Sequence, residues 1–280
     1  MRVGCLTGSP LTPSVKRGWS KMKYQKILTE LCQGSGAILL KYFEKTHKIE
    51  KKRGAGIVTE ADKASEAYLM KNIFRSFPNS SIITEESGEF KNSGEMTWIL
   101  DPLDGTTNYA HGFPWFCVSV GLHVNGKAAA GGILNPVTKE FFFAEKGKGT
   151  FKNGKRLRVS KVKNIADSLL GTGFYYSKDR ELKEEMEIFT AMNQYALGVR
   201  RPGSAALDLA YVASGRYDGF WERRLSSWDV AAGILMVEEA GGKVSGYGGQ
   251  PTDIFAGELV ASNGHLHRRI VSIIGKALKG

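Results

Sequence analysis

Two aspartates three residues apart, Asp101 and Asp104, stand in the stretch DPLDGTTNYAHG (101–112), directly after the apolar run TWIL (97–100). Like charges this close raise each other's free energy unless something positive lies between them. Pro102 biases Asp101 toward extended backbone, and Gly105 permits a sharp turn. Such a turn can aim two carboxylates and the Leu103 carbonyl at one point, an oxygen set that suits a hard divalent cation. The same residue types also make an ordinary polar turn, so the stretch alone supports both readings. If a helical turn starts at Thr106, the amides of Gly105 and Thr106 become donors for an anion at its positive end; plain N-capping by Thr106 is the structural alternative. A cation site abutting an anion site is what metal-assisted hydrolysis of a phosphate ester requires.

Three further acidic groups bear on this chemistry. Glu85 and Glu86 follow the apolar run SSIIT (80–84), where two acids in an exposed loop would be unremarkable alone. Asp229 in SSWDVAAG is placed as a helix N-cap. The stretch VTEAD (58–62) reads as a capping box, with Thr59 as N-cap and Asp62 at its third helical position. Each has a sufficient structural explanation by itself. Their joint occurrence is what points to a site.

The elements that must position these residues are legible from periodicity. Apolar residues at helical spacing mark helices over 22–45 and 59–77, the second stopped by Pro78-Asn79. Strands are expected at 80–84 and at TWIL, ending at Asp101. FCVSVGLHV, KAAAGGILN and EFFFAEKG (116–147) read as antiparallel strands, and Asn153-Gly154 centres a further hairpin. From about residue 150 strands and helices alternate. Strands are expected near 168–173, 217–222 and 258–262, and helices near 178–196, 203–215 and 229–240, with one more at the end. This change of style divides the chain into a basic flexible tail (1–21, or residues ahead of a start at Met22), an N-terminal α+β half (22–150) carrying the acidic loops, and a C-terminal α/β half (151–280).

Composition narrows the class. At 280 residues with 42% hydrophobic residues, the chain has length for one large or two moderate domains with real cores. No apolar run approaches a membrane span, and no apolar signal core precedes a cleavage site. Three widely spaced cysteines (Cys5, Cys32, Cys117) argue against disulfides and a zinc knot and fit a reducing cytoplasm. His265 and His267, near the start of the last helix, read as surface residues. Of the net charge of +11, residues 1–53 hold +9, with 12 Lys/Arg against 3 Asp/Glu. That excess fits either a solvated tail and helix face or attraction to a polyanion such as RNA.

In their order and spacing, DPLDGTTN, WDVAAG, VTEAD, TEES and RRPGSAALDLAYVASG resemble the inositol monophosphatase family of Mg²⁺-dependent, lithium-sensitive phosphatases, over about residues 22–280. With YDGFWE added, the set looks most like the family's bacterial inositol-1-monophosphatase branch. The resemblance implies a layered α-β-α-β-α sandwich of the fructose-1,6-bisphosphatase type and a homodimer. It implies two to three Mg²⁺ per subunit, one held by Glu85, Asp101 and the Leu103 carbonyl and a second by Asp101, Asp104 and Asp229. Glu86 and Asp62 would stand near a third metal or its waters. Thr106, paired with Glu85, would orient the attacking water. The Gly105 and Thr106 amides would hold phosphate, Glu222 a substrate hydroxyl, and Gly203, Ser204 and Ala205 would line the sugar-alcohol pocket, with Asp104 and Asp229 also facing substrate. The implied reaction is hydrolysis of inositol 1-phosphate. The same metal motifs serve phosphatases for histidinol phosphate, fructose 1,6-bisphosphate and nucleotide 3′-phosphates, and the basic excess leaves an RNA-associated role on the same fold open. Glu222 and the compact substrate segments favour inositol, and no base-holding element for a nucleotide is evident in the sequence.

Overall fold

A computed structural model describes residues 23–43, 50–51, 57–175 and 180–279; the expected tail over 1–21 and Cys5 lie outside them. Helix α1 (Gln25–Tyr42) is followed by the short strands β1 (Glu50–Lys51) and β2 (Ile57–Val58) and by α2 (Glu60–Ser76). Next come β3 (Ser81–Thr84), β4 (Gly88–Phe90), β5 (Met96–Asp104) and the single-turn α3 (Thr106–Ala110). A meander follows: β6 (Cys117–Val124), β7 (Lys127–Asn135), β8 (Glu140–Glu145), β9 (Gly149–Lys152) and β10 (Lys155–Arg156). The chain then alternates: β11 (Leu169–Thr172), α4 (Arg180–Tyr195), β12 (Gly198–Arg200), α5 (Ala205–Ala213), β13 (Gly219–Arg223) and α6 (Ser227–Glu239). It closes with β14 (Lys243–Ser245), β15 (Glu258–Ser262) and α7 (His267–Ala277).

Strands β10-β9-β8-β7-β6-β5-β3-β4 form one sheet and β12-β11-β13-β15-β14 a second. Helices α1 and α2 cover one face of the large sheet; α5 and α6 fill the space between the sheets; α4 and α7 cover the outer face of the small one. The result is the five-layer α-β-α-β-α sandwich that the resemblance implies. Each of the three interlayer spaces has its own apolar cluster, centred on residues such as Trp98 and Leu28, Leu235 and Phe220, and Trp221 and Ile270. Because helices lie on both faces of the large sheet, β6 and β7 are apolar nearly throughout rather than alternating.

Helix α6 carries Asp229 and lies very close to the large sheet. Gly121 and Gly131, paired across β6 and β7, face it; a Cβ on Gly121 would stand 2.8 Å from the Ala231 methyl, and one on Gly131 2.9 Å from the Ala232 Cα. The small residues of WDVAAG thus set how near the helix, and its aspartate, can come.

Three sequence expectations are corrected. Strand β5 does not end at Asp101 but runs to Asp104. Asp229 is not an N-cap: Ser226 takes that position, and Asp229 at the third helical position accepts from the Ser226 amide at 2.6 Å. His267 is buried, not on the surface, with its ring bonded to Ser245 at Nε2 (2.8 Å) and Ser262 at Nδ1 (3.0 Å). The amphipathic period of α7 runs through His267, whose two polar atoms find serines on β14 and β15.

Burial, helped by the charge of Lys243, pushes the His267 pKa down to about 4. Between the ordinary histidine value of about 6.5 and that value, the unfolded chain binds a proton that the folded chain refuses. Stability from neutral His267 is therefore complete above pH ~6.5 and is lost as pH falls toward ~4. Urea unfolding should show wild type losing more stability between neutral pH and pH ~5 than His267→Gln does; equal losses would refute this account.

Candidate active site

The carboxyl ends of strands from both sheets meet around a cavity of about 310 Å³. Strands β3 and β5 are parallel, so Glu85 and the Asp101–Asp104 turn leave the large sheet on the same edge. Strands β11, β12 and β13 are likewise parallel and deliver Gly173, Arg201 and Glu222. Crevices beyond the carboxyl ends of parallel strands are the usual ligand sites of α/β architectures.

The spacing of the opening pair has a geometric explanation. Residues three apart on a regular strand point to opposite faces. Here Asp101 pairs with Ser119 and Asp104 with Cys117, so three steps on β5 match two on β6. The extra residue is a β-bulge, which restores Asp104 to the side of Asp101 and also accommodates Pro102. Gly105 then turns the chain at φ +91°, where a Cβ would lie 2.8 Å from the Trp115 carbonyl, and α3 begins at Thr106. The leading amides of a helix have no intrahelical acceptor, so Gly105 and Thr106 bring donors to the cavity wall.

The carboxylates are mutually hostile. Asp101 is buried, and burial, followed by the charges of Glu85, Asp104 and Asp229, drives its pKa well above the ordinary range. Burial raises Asp104 to about 6 against the pull of hydrogen bonds from Ser204 and the Ala206 amide. Glu222 is driven up by burial and then by Asp229 and Asp104. Among the described residues no three acidic, imidazole or thiol groups close into a preformed cage. The acids instead ring an open cavity beside the Leu103 carbonyl, an all-oxygen set that suits Mg²⁺ completed by water and substrate oxygens. The residues present therefore fit a divalent cation.

Anchors hold these groups. Asp104 Oδ2 accepts from Ser204 Oγ (2.6 Å) and the Ala206 amide (2.8 Å), tying β5 to the start of α5. Asn108 Nδ2 donates to the Trp115 and Pro202 carbonyls, both at 2.8 Å. Asp62 Oδ2 accepts from the Thr59 amide and hydroxyl, while Oδ1 faces the Thr106 hydroxyl at 3.3 Å. That hydroxyl, expected beside Glu85, has Asp62 and the Leu103 carbonyl (3.0 Å) as its partners.

Glu85, Asp101, Leu103, Asp104, Gly105, Thr106, Gly203, Ser204, Ala205, Glu222 and Asp229 all line the one cavity. Asp62 stands behind it, reaching it through Thr106, and Glu86 is not on its wall. Sequence reasoning missed Glu66, a buried carboxylate that accepts from the Thr84 hydroxyl (2.7 Å), the Glu86 amide (3.0 Å) and the Ser87 hydroxyl, thereby fixing the turn that carries Glu85. It also missed Ser65, which donates to the Pro102 carbonyl at 2.8 Å. The signal was available: Asp62, Ser65 and Glu66 stand at i, i+3 and i+4, one polar face of α2 turned inward.

Residues 21–279 match the sequence profile of the Inositol monophosphatase family. An inositol-1-monophosphatase of Synechocystis sp. is 41% identical over 247 residues, covering 88% of this chain and 86% of its own. The Nus factor SuhB of Pseudomonas aeruginosa is 38% identical over 255 residues, covering 89% and 94%. The solved inositol monophosphatase of Anabaena (Nostoc) sp. superposes with a TM-score of 0.81 at 43% identity, over 90% of this chain and 95% of that one.

If Ser204 orients Asp104 for a cation, Ser204→Ala should raise the magnesium concentration for half-maximal turnover about tenfold, the usual effect of removing a support behind a metal ligand. A magnesium titration of initial rates checks this; an unaltered midpoint would remove Ser204 from the metal site.

Proposed function

The chain belongs to the inositol monophosphatase family and is a phosphatase, and from that premise we propose that it hydrolyses inositol 1-phosphate to inositol and inorganic phosphate. The observation that carries this reading is the convergence of Glu85, Asp101, Asp104 and Asp229 on one cavity that also receives the start of α3. In this reading residues 22–150 supply most of the metal-holding loops and residues 151–280 the wall facing the alcohol. Glu85, Asp101 and the Leu103 carbonyl would hold one Mg²⁺, and Asp101, Asp104 and Asp229 another, with room for a third supported from the Asp62 and Glu86 side. When bound, Mg²⁺ neutralises phosphate charge and makes water a better nucleophile at neutral pH.

The chain's own groups then do the positioning. The Gly105 and Thr106 amides bind phosphate oxygens at the helix start. Asp62, itself fixed by Thr59, takes the Thr106 proton in a hydrogen bond, which leaves the Thr106 oxygen's lone pairs for a water poised in line with the ester. Water adds to phosphorus, the ester P–O bond breaks, and a proton ends on the departing alcohol oxygen. Glu222 is set to bind a ring hydroxyl of that alcohol; Gly173, where a Cβ would overlap the carboxyl, gives it room. Family resemblance adds the homodimer to this proposal.

Purified protein should release phosphate from inositol 1-phosphate only with magnesium, and lithium should inhibit it. Asp104→Asn should abolish release while the melting temperature stays close to wild type. Wild-type rates in that variant would overturn the metal assignment.

A second reading concerns a polyanionic partner. It is favoured by the net charge of +11 and by the relative named Nus factor SuhB. A single-stranded RNA oligomer should bind with an affinity that falls linearly with salt on logarithmic axes. Binding insensitive to salt, or none at low salt, would refute it.

A further inference from the structure

The wall of the cavity opposite the acidic loops carries an arginine in an unfavourable backbone state. Arg224 stands just beyond β13 at φ +57°. The other non-glycine residues with positive φ among those described, Asn125, Lys139 and Asn153, sit in hairpin turns of the large sheet. Arg224 has no such turn to explain it, and it lines the cavity. Non-glycine residues in this region persist where something outweighs their cost, and functional sites are where they concentrate.

Its surroundings indicate what that function is. The guanidinium lies 4.8 Å from the centre of the Tyr175 ring and pairs with Glu181 at the start of α4. Both side chains of the pair are substantially exposed, at 32% and 48%, so the pair is weak and easily exchanged. Arg201 is built the same way on the preceding aromatic, 5.7 Å from the Phe174 ring centre. Two guanidinium groups from two strand ends therefore sit on adjacent rings at one mouth. The neighbouring Arg223 is different: it is tied to Glu184 at 2.7 Å, flanked by Glu185 and Glu258, and serves the scaffold. The phosphate that reacts is already provided for by the carboxylate-held cations and the α3 amides, which come from the large sheet. An arginine across the cavity has a different anion to meet.

Resting on the phosphatase reading above, we propose that Arg224 determines specificity by binding a second anionic group on the alcohol portion of the substrate, releasing Glu181 to do so. Glu181 is the occupant of the arginine in the absence of that group. A phosphate or carboxylate accepts two parallel N–H donors from a guanidinium and is a better partner than an exposed glutamate. The Tyr175 ring keeps the guanidinium over the mouth while partners exchange. The chain thus favours polyol phosphates carrying a further anion remote from the reacting one.

The test compares kcat/KM for inositol 1,4-bisphosphate with that for inositol 1-phosphate. Arg224→Gly suits the left-handed backbone and should fold at least as well as wild type. It should lower the ratio about tenfold, the loss expected of a charge-assisted contact. Glu181→Gln, which removes the competing carboxylate, should raise it. An unchanged ratio in Arg224→Gly, or a wild-type enzyme that cannot use the bisphosphate, overturns the proposal. Absence of magnesium-dependent release from inositol 1-phosphate would instead overturn the phosphatase reading, so the two failures are distinct.

Discussion

Crowded negative charge is the constraint on which this structure turns. Glu85, Asp104 and Asp229 each raise the cost of ionising buried Asp101. A fold left to relax would spread such groups into water. They stay because each is anchored through part of its carboxylate. Asp101 Oδ1 accepts from the Leu103 amide, Asp104 Oδ2 from Ser204 and Ala206, and Asp229 Oδ2 from Ser226. Asp62 follows the same rule through Thr59. The second oxygens of Asp101 and Asp104 take no hydrogen bond from the described residues, and oxygens so placed are what a cation can satisfy.

Two of these anchors are capping boxes, those of α2 and α6. An acidic residue at the third helical position is ordinarily a stability device. Here the same geometry locks a rotamer at the edge of the site, so a local helix-start signal and a chemical role coincide in one residue. The packing behind α6 makes the arrangement stiff. Gly121 and Gly131 admit the Ala231–Ala232 segment against β6 and β7, and the same sheet carries Asp101 and Asp104 on β5. Distances between acids on different elements are thus set by backbone approach rather than by long, soft side chains.

Much of this was legible in the sequence because the informative features are local. Periodicity placed α1, α2, α5 and the strands of the meander, and the capping box at Thr59 was read correctly from VTEAD. What escaped was non-local or depended on register. The bulge in β5 is invisible without the partner strand, although it is what turns an odd spacing into a same-side pair. The strands GEF, GVR and KVS, at three residues each, are too short to show alternation. His267 looked polar and exposed because its serine partners come from β14 and β15. Glu66 was overlooked since the groups it organises, Thr84 to Ser87, lie on another element.

The two halves of the cavity differ in how tightly their residue types are constrained. On the metal side, charge, oxygen geometry and a left-handed glycine leave little freedom, and the motifs are correspondingly easy to read. On the alcohol side the wall is assembled from the ends of β11, β12 and β13, whose side chains meet only in the folded sheet. Reaction type is therefore written in contiguous motifs, whereas choice of alcohol is distributed over residues such as Arg201, Glu222 and Arg224. A substitution there alters which ester is accepted without touching a cation ligand, so one catalytic frame can serve many substrates. The positive φ at Arg224 is a trace of that freedom: a backbone site that suits glycine has been given to a charge, and only a gain at the mouth of the cavity offsets the strain.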